Sequence, residues 1–449
     1  MKILTNLTLL FLIISSCSQS NAEKQVEEAI ISFPERAKDM VIYEVNIRQY
    51  TPEGTFNAFA SHIPRLKELG VDILWVMPIQ PIGEKNRKGG LGSYYSIRDY
   101  TDVNPEFGSL DDFKNLVNQA HSNDMIVILD WVANHTAFDH EWTEKPGYHN
   151  TDSAGNVTWP EGTDWTDVAD LNYENMDMQN EMIESLRYWV NEADIDGYRC
   201  DVAGFVPMEF WNRAKDSLDV DKDLFMLAEW DEPKMHEDAF HMTYGWGMHH
   251  YMNEVAKGHK NADSLIAFIN KDLDRYPADA IRMNFTTNHD ENSWNGTVFE
   301  RFGEGHKAYA IFAFTVQGMP LIYSGQEAGL DERLAFFEKD TIEWGDVKYQ
   351  DFYASLVDLK KNNPALFNGT YGGKPEFIDV GNPMTIAYSR KMGNNQVDVI
   401  INLSEEPQNV TIPETLSFSD VFGGGQVDAT VTELQPYQYF VGSKTEGNE

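Results

Sequence analysis

The sequence predicts an α/β fold: a closed (β/α)8 barrel, or TIM barrel, with a short inserted loop domain after the third strand and a C-terminal antiparallel β domain. Eight short apolar runs alternate with amphipathic helical stretches from residue 41 onward, which is typical of βα units around a parallel sheet. The 449 residues suffice for one barrel-sized domain and a smaller one. No Gly-rich phosphate loop follows the first strand, which argues against an open nucleotide-binding sheet.

The elements follow one another in a regular order along the chain. Strands are expected over residues 41–48, 71–78, 124–132, 195–204, 224–230, 280–286 and 320–324, with the sixth strand inside 240–251. Helices are expected over residues 56–69, 110–123, 178–192 and 307–317. Each strand is a short apolar run, and Pro78 ends the second one.

Two departures from this repeat define the domain boundaries. Residues 136–173 are rich in Trp, Gly, Asp and Asn, and a long loop in a compact domain is usually functional. After residue 368 the pattern changes to short strands separated by turns. We therefore expect a barrel of residues 39–135 and 174–368, an inserted loop domain of residues 136–173, and a C-terminal β-sandwich domain of residues 369–443.

The N-terminus predicts export and a lipid anchor. Lys2 is a basic start, and the apolar run over residues 3–14 is too short to span a bilayer, which indicates a signal peptide over residues 1–16. Ile14-Ser-Ser-Cys17 resembles the lipobox of bacterial lipoproteins, although an ordinary signal peptide that contains a cysteine stays open. The resemblance implies lipidation of Cys17, a tether over residues 17–38, and attachment to the bacterial cell envelope, at the periplasmic or surface face of the outer membrane, by lipid alone.

Composition narrows the class of ligand. The net charge of −37 argues against nucleic acid and anionic membrane surfaces as partners, because phosphate binding needs clustered Lys and Arg. A neutral substrate is compatible with this charge. The 11 Trp, 20 Tyr and 25 Phe mostly fill cores, but their flat faces are also what sugar-binding clefts use.

Polar residues end several predicted strands, where a barrel of this kind places its chemistry. Arg199 and Asp201 lie two residues apart on the fourth strand, so their side chains point to the same side. The guanidinium is expected to hold the carboxylate ionised and to fix its orientation, which suits a nucleophile. From this segment alone, a purely structural ion pair at the strand end is an equal alternative. The other strand-end polar residues are Asp130, Asn134, His135, Glu229, Asn288, His289 and Asp290.

Three of these carboxylates, on Asp201, Glu229 and Asp290, come from three separate strands and would share one cleft. Burying like charges together is unfavourable unless one group is protonated or cations compensate. A fold does not need such a cluster for stability. Glycoside hydrolysis does need one carboxylate and one carboxylic acid around a transition state with oxocarbenium character.

The motifs around these residues resemble those of the α-amylase family, glycoside hydrolase family 13, and the resemblance covers the chain from residue 40 to the end. The strand-end motifs are Asp130-Trp-Val-Ala-Asn-His135, Gly197-Tyr-Arg-Cys-Asp-Val-Ala203, Ala228-Glu-Trp230 and Phe285-Thr-Thr-Asn-His-Asp290. Two further matches are Asp170-Leu-Asn172 in the insert and Tyr94-Tyr-Ser-Ile-Arg-Asp-Tyr100 with Asn104-Pro-Glu-Phe-Gly108 after the second strand. Four motifs in the right order, each on its strand, make the resemblance specific.

The resemblance implies a retaining glycoside hydrolase that cleaves α-glucosidic bonds, α-1,4 first among them, in starch-like glucans or malto-oligosaccharides. Asp201 would be the nucleophile, Glu229 the acid and base, and Asp290 the residue that grips the sugar hydroxyls. Glu229 is expected to have a raised pKa because it faces two other carboxylates beside apolar neighbours. The implied substrate-binding residues are Tyr95, His135, Arg199, Trp230, Asn288 and His289.

The same resemblance implies a structural Ca²⁺ held by Asn134 and Asp170, although these side chains can also join the insert to the barrel without a metal. No organic cofactor is implied. Gly204-Phe205 stand where many α-amylases have Lys-His, and Val168-Ala169 match neither usual version of the short motif. Linkage and endo or exo action therefore stay open.

Two other functions stay open at this point. One is an α-glucan transglycosylase (a glucanotransferase) on the same scaffold, which passes the glycosyl unit to a second sugar. The other is a non-catalytic, surface-tethered glycan-binding protein. The presence of all three acids argues against the second alternative.

Overall fold

The computed structural model describes residues 32–413, 416, 421–422 and 433–445. The predicted signal peptide, Cys17 and most of the predicted tether lie outside these residues. In this part of the chain, no helix combines the length and the apolar character needed to cross a bilayer. Cys200 is a buried free thiol on a barrel strand.

Eight parallel strands close into a barrel in which each strand pairs with the next along the chain and the last pairs with the first. This confirms the predicted fold class, and the strand boundaries differ from the prediction mainly by being shorter. The strands are β1 (Ile42–Val45), β2 (Ile73–Val76), β3 (Ile126–Trp131), β4 (Gly197–Cys200), β5 (Phe225–Ala228), β6 (Met242–Tyr244), β7 (Ile281–Asn284) and β8 (Met319–Tyr323).

The helices surround the barrel. They are α1 (Ile47–Tyr50), α2 (Phe56–Ala60), α3 (Ile63–Leu69), α4 (Leu110–His121), α5 (Met176–Ala193), α6 (Met208–Leu218), α7 (Trp246–Ala256), α8 (Ala262–Arg275), α9 (Val298–Phe302), α10 (His306–Thr315) and α11 (Gln350–Asn362). The prediction of a single helix over residues 56–69 was wrong, because the structure has two helices there, α2 and α3. Pro64 lies in the first turn of α3, where a missing N–H is tolerated, and it cannot continue a preceding helix.

The insert after β3 is held by a short antiparallel pair of strands, His135–Ala137 and Val168–Asp170. Near the C-terminus, four antiparallel strands form a sheet in the order β9, β10, β11, β14, and β12 pairs with β13. These strands are β9 (Pro375–Phe377), β10 (Thr385–Met392), β11 (Asn395–Asn402), β12 (Gln408–Asn409), β13 (Glu433–Leu434) and β14 (Tyr439–Lys444).

The two-residue period of the strands decides which side chains reach the barrel interior. Ile42, Ile128 and Leu227 belong to one buried apolar cluster inside the barrel, whereas their neighbours along each strand pack outward against the helices. Continuing the same alternation toward the strand ends places a polar side chain above each apolar one. Glu44 follows Ile42, and Glu229 follows Leu227, so the mouth of the barrel is polar and lies directly on an apolar core.

Candidate active site

The centre of the site is the guanidinium of Arg199, whose side chain is fully buried on β4. Its Nη1 donates to Asp130 Oδ1 at 2.8 Å and to Asp201 Oδ1 at 3.0 Å, and its Nε donates to the Tyr244 hydroxyl at 3.0 Å. Its Nη2 lies 2.9 Å from Glu229 Oε2, an ion-pair contact without hydrogen-bond geometry. One cation therefore holds three carboxyl groups from three strands.

A chain of hydrogen bonds continues from Asp130 across the barrel mouth. The Tyr95 hydroxyl contacts Asp130 Oδ2 at 3.1 Å and His289 Nε2 at 2.9 Å. The other ring nitrogen of His289, Nδ1, lies 2.5 Å from Glu44 Oε1 on β1. His289 Nε2 is also 3.3 Å from Asp290 Oδ2. The ring of His289 is thus fixed between two carboxylates on opposite sides.

Burial raises the pKa of Asp201 well above its ordinary value, the charge of Glu229 adds to the rise, and Arg199 opposes it. Burial also raises the pKa of Glu229, where the charge of Arg199 opposes the rise and that of Asp290 adds to it. The raised pKa of Glu229 agrees with the sequence analysis. Arg199 lowers the pKa of Asp201, as the sequence analysis expected, but burial and the charge of Glu229 act in the opposite direction.

The two histidines of the site have opposite protonation states near neutral pH. Burial lowers the pKa of His135 to about 4, so this ring is neutral. Burial alone would also lower the pKa of His289, but the charges of Asp290 and Glu44 outweigh it and raise that pKa to about 9. His289 is therefore an imidazolium placed beside Asp290.

The backbone after Asp201 is strained in a way that connects the two carboxylates. Val202 has φ of 35° and ψ of 48°, the left-handed region that a β-branched residue rarely adopts. In this conformation its N–H donates to Glu229 Oε2 at 2.8 Å. The conformation of Val202 thus fixes the side chain of Glu229 relative to Asp201.

The carboxyl groups face a cavity of about 630 Å³, within the size range of ligand pockets. Its lining residues are Lys88, Ser93, Tyr95, His135, Asp164, Trp165, Asp167, Val168, Asp201, Val202, Glu229, His289, Asp290, Trp294, Phe336 and Phe337. A second cavity of about 340 Å³ shares Val202 and Glu229 with the first, and its other lining residues are Trp230, Asp231, Glu232 and Trp246. Glu229 thus stands at the junction of the two cavities.

Of the residues named from sequence, Asp201, Glu229, Asp290, Tyr95, His135 and His289 line the main cavity. Trp230 lines the second cavity and packs against Phe205, with ring centroids 5.6 Å apart. Arg199 and Asn288 are fully buried and reach neither cavity. Asn288 Oδ1 instead accepts the N–H of Glu291 at 2.8 Å and shapes the loop after β7.

Asn134 and Asp170, the residues suggested for calcium, both have protein partners in the structure. Asp170 is paired with His135 in the insert hairpin, and its Oδ2 accepts the side-chain amide of Asn150 at 2.7 Å. Asn134 contributes its carbonyl oxygen to the N–H of Leu171 at 3.2 Å. Among the described residues there is no group of three or more His, Cys, Asp or Glu placed to hold a metal ion.

Several residues of the site were not found from sequence. Glu44 and Trp75 lie inside strands that the sequence analysis described only as apolar runs. In the structure they alternate along β1 and β2 in step with Ile42 and Ile73, which places them on the interior face. Trp75 Nε1 donates to Asp130 Oδ2 at 3.0 Å. Lys88, Trp294, Phe336 and Phe337 come from loops whose course the sequence pattern does not determine.

A (β/α)8 barrel whose β4, β5 and β7 ends bring three carboxyl groups and one buried arginine to a sugar-sized cavity has the architecture of a glycoside hydrolase. The family model for the alpha-amylase catalytic domain matches residues 17–165 and 161–365. The chain belongs to this family, as the sequence motifs predicted.

Similar proteins include two solved structures and one curated relative. An alpha-amylase from Lactobacillus plantarum is 30% identical, with a TM-score of 0.81 over 91% of this chain and 99% of that chain. The noncanonic maltogenic alpha-amylase AmyB from Thermotoga neapolitana is 30% identical, with a TM-score of 0.78 over 90% and 96%. Alpha-amylase MalA from Haloarcula japonica is 27% identical over 423 residues, covering 89% of this chain but only 61% of that protein.

The first prediction concerns the Glu44–His289 pair. Glu44→Gln removes a charge that raises the pKa of His289, so the imidazolium should persist only at lower pH than in the parent protein, where this pKa is about 9. Activity that depends on the cation should then decline at a lower pH. The measurement is the pH profile of kcat/KM, and we expect its alkaline limb to move down by about one unit or more.

The matched control for this variant is Glu327→Gln. Glu327 is equally buried and accepts the Tyr43 hydroxyl at 2.6 Å and a nitrogen of Arg65 at 3.0 Å, away from the cavity. It should lower the melting temperature without moving the pH profile. An unchanged alkaline limb in Glu44→Gln would show that the charge of His289 has no part in the activity.

The second prediction concerns the insert. Because the Asn150 amide already holds Asp170, chelation with EDTA should change the Tm by less than about 1 °C, and Asn150→Ala should lower it by about 2–4 °C. Asn156→Ala is the control, because its side chain contacts only the exposed Asp152 in the same insert. A drop in Tm on chelation that added Ca²⁺ restores would contradict the prediction.

Proposed function

We propose that this protein is a retaining glycoside hydrolase that cleaves α-glucosidic bonds, α-1,4 bonds first among them, in starch-like glucans or malto-oligosaccharides. The observation that carries the proposal is the convergence of Asp201, Glu229 and Asp290 on one cavity around the shared Arg199 guanidinium. Family membership supports the same reaction class. The flat aromatic faces of Tyr95 and Trp230 at the two cavities suit sugar rings.

In the first half of the reaction, an oxygen of Asp201 attacks the anomeric carbon while Glu229 gives its proton to the glycosidic oxygen. The bond to the leaving sugar breaks, and a glycosyl ester of Asp201 forms. In the second half, Glu229 removes a proton from water, the water oxygen attacks the anomeric carbon, and the ester bond breaks. Two inversions at one carbon give overall retention.

The contacts of the two carboxyl groups match these roles. Asp201 uses Oδ1 for Arg199, which leaves Oδ2 to attack the sugar. Glu229 uses Oε2 for both the Val202 N–H and Arg199, which leaves Oε1 to carry the proton. Glu229 also borders the second cavity, so the leaving sugar has space on the acid's own side. Two carboxyl groups on one guanidinium form a close pair, whereas inverting enzymes hold theirs about 6.5–9.5 Å apart.

The remaining cavity residues bind the reacting sugar. Asp290 and the His289 imidazolium present opposite charges side by side, which suits neighbouring hydroxyl groups that must both donate and accept. Neutral His135 lies on the opposite wall, and because its Nδ1 is 3.2 Å from the Asn134 side-chain amide, Nε2 is the ring nitrogen that can bind the sugar. Tyr95 is oriented by Asp130 and His289, so its ring is a rigid surface for the sugar.

The third prediction separates the two carboxyl roles by azide rescue on α-glucosyl fluoride, whose leaving group needs no acid. In Glu229→Ala, azide should attack the glycosyl ester and give α-glucosyl azide. In Asp201→Ala, azide should occupy the vacated space, displace fluoride directly and give β-glucosyl azide. Glu229→Ala should also lower kcat on maltotriose by about 10²–10⁴-fold. Product anomers are read by NMR.

The outcome that would contradict the role assignment is the same anomer from both variants. Asn150→Ala serves as a control that changes the insert but neither carboxyl group, so it should hydrolyse α-glucosyl fluoride without azide. Repeating the parent reaction with added maltose measures how much of the glycosyl unit goes to sugar and how much to water. A product pool made mainly of transfer products would assign the chain to the transglycosylases.

We also propose that the protein is exported and anchored to the bacterial cell envelope, at the outer membrane, by lipid on Cys17. The support is sequence alone: Lys2, the apolar residues 3–14 and the Ile14-Ser-Ser-Cys17 motif. The polar residues after Cys17 would then link the lipid to the barrel.

The fourth prediction tests this anchor in cells. Cys17→Ser should move the protein from the membrane fraction to the soluble fraction, and mass spectrometry of the parent N-terminal peptide should show an acylated Cys17. Ser18→Ala is the control, because it leaves the cysteine intact. An unmodified N-terminal peptide that begins after another residue would overturn the anchor and leave the enzymatic proposal untouched.

A further inference from the structure

One end of the main cavity is closed by contacts among three loops. We define the Lys88 wall as Lys88, Gly89, Gly90, Asp164, Asp167, Phe337 and Glu338. We propose that this wall stops the sugar chain on the glycone side, so that the enzyme acts on short malto-oligosaccharides and on the non-reducing ends of longer chains. The inference rests on the proposed hydrolase function and specifies its substrate.

The order of strands around the barrel shows which end the wall closes. Consecutive strands are neighbours, so the loops after β4, β5 and β6 occupy one half of the mouth, and those after β7, β8, β1 and β2 occupy the other, with the insert after β3 between the two halves. The second cavity is lined only by residues after β4, β5 and β6, including Glu229. The leaving sugar lies on the side of the acid, so the glycone half is the one that contains Lys88.

The Lys88 wall is continuous across that half. Lys88 Nζ donates to the Asp164 carbonyl oxygen at 2.7 Å and pairs with Asp167 Oδ1 at 3.2 Å, which joins the loop after β2 to the insert. On its other side the same loop joins the loop after β8. The Leu91 N–H donates to the Phe337 carbonyl oxygen at 3.0 Å, and the Gly90 N–H donates to Glu338 Oε1 at 2.5 Å.

Two glycines allow this close approach. A Cβ on Gly89, whose φ is 66°, would lie 2.4 Å from the Phe337 side chain. A Cβ on Gly90 would lie 2.6 Å from a carboxylate oxygen of Glu338. A side chain at position 89 would push the loop after β2 away from Phe337, whereas the exposed Glu338 carboxylate could move aside from a side chain at position 90. The closure therefore depends on Gly89.

Aromatic rings line the cavity beside the wall. The Phe336 ring lies 6.1 Å from Tyr95 at an interplanar angle of 16°, and 5.2 Å from Trp294, which is 54% exposed. A sugar that leaves the reaction centre on this side meets these faces and then the Lys88 wall. The cavity of about 630 Å³ has room for only a few glucose rings, since pockets of about 300–1,000 Å³ hold drug-sized ligands.

In the acceptor half the described loops meet through partly exposed aromatic rings. Its cavity of about 340 Å³ is shallow, and Phe205, which packs against Trp165 and Trp230, is 49% exposed. A long glucan can therefore extend away on this side, over aromatic faces. The asymmetry predicts that a chain enters with its non-reducing end toward Lys88.

The fifth prediction compares free maltoheptaose with maltoheptaose blocked at its non-reducing end by a 4,6-O-ethylidene group, with products read by chromatography. The parent enzyme should cleave the free form at least about 100-fold faster, because the blocked end meets the Lys88 wall. Lys88→Ala should lower that ratio by about 10-fold or more. Asp167→Asn removes the other partner of the ion pair and should move the ratio in the same direction.

The matched control is Lys85→Ala, in the same loop. Lys85 is exposed and lies over the Phe138 ring at 6.0 Å, so its loss should leave both rates unchanged. Cleavage of the blocked and free forms at similar rates by the parent enzyme would overturn the Lys88 wall while supporting the hydrolase. Failure of the folded parent enzyme to cleave either form would overturn the hydrolase proposal, and the wall proposal with it.

Discussion

The site depends on one buried cation. Arg199 is fully enclosed and contacts Asp130, Asp201 and Glu229, while His289 is the second cation, between Glu44 and Asp290. Two positive charges thus face five carboxyl groups. Burial raises the pKa of Glu44, Asp130, Asp201 and Glu229, and neighbouring carboxylates add to the rise at Glu44, Asp201 and Glu229. A general acid needs a raised pKa, and the barrel supplies it to Glu229 mainly by burying the side chain.

Much of the fold and the three central carboxyl groups could be predicted from sequence, for physical reasons. Parallel strands covered by helices must be short and apolar, so β2 and β3 were visible as apolar runs, and polar residues at their ends had to face the mouth. The motif at Asp201 was visible because its spacing matches a strand. Asn288 also lies in a strand-end motif and was expected to bind substrate, yet its side chain is buried and accepts the Glu291 N–H. A motif gives the position of a residue along the chain but not the exposure of its side chain.

What sequence reasoning missed depends on contacts between distant segments. The pKa of Asp201 was expected to stay low because only its neighbour Arg199 was considered, whereas in the structure that cation also contacts Asp130, 69 positions away along the chain, and Glu229 on a third strand. Glu44 and His289 are separated by 245 positions, and no local pattern connects them. The Lys88 wall has the same origin, since three loops meet there only because the barrel closes.

The two oxygens of each catalytic carboxyl group have different roles, one in the folded structure and one in the reaction. One oxygen of Asp201 and one oxygen of Glu229 contact Arg199, and the same Glu229 oxygen accepts the Val202 N–H. One of the two oxygens of each carboxyl group therefore has its partners within the fold. Removing Arg199 would leave uncompensated buried charge, which typically costs about 3–5 kcal/mol. The other oxygen of each group faces the cavity and is free to react. The strand ends therefore determine the chemistry, while the loops above them, which approach through Gly89 and Gly90, determine how much of a sugar chain can reach it.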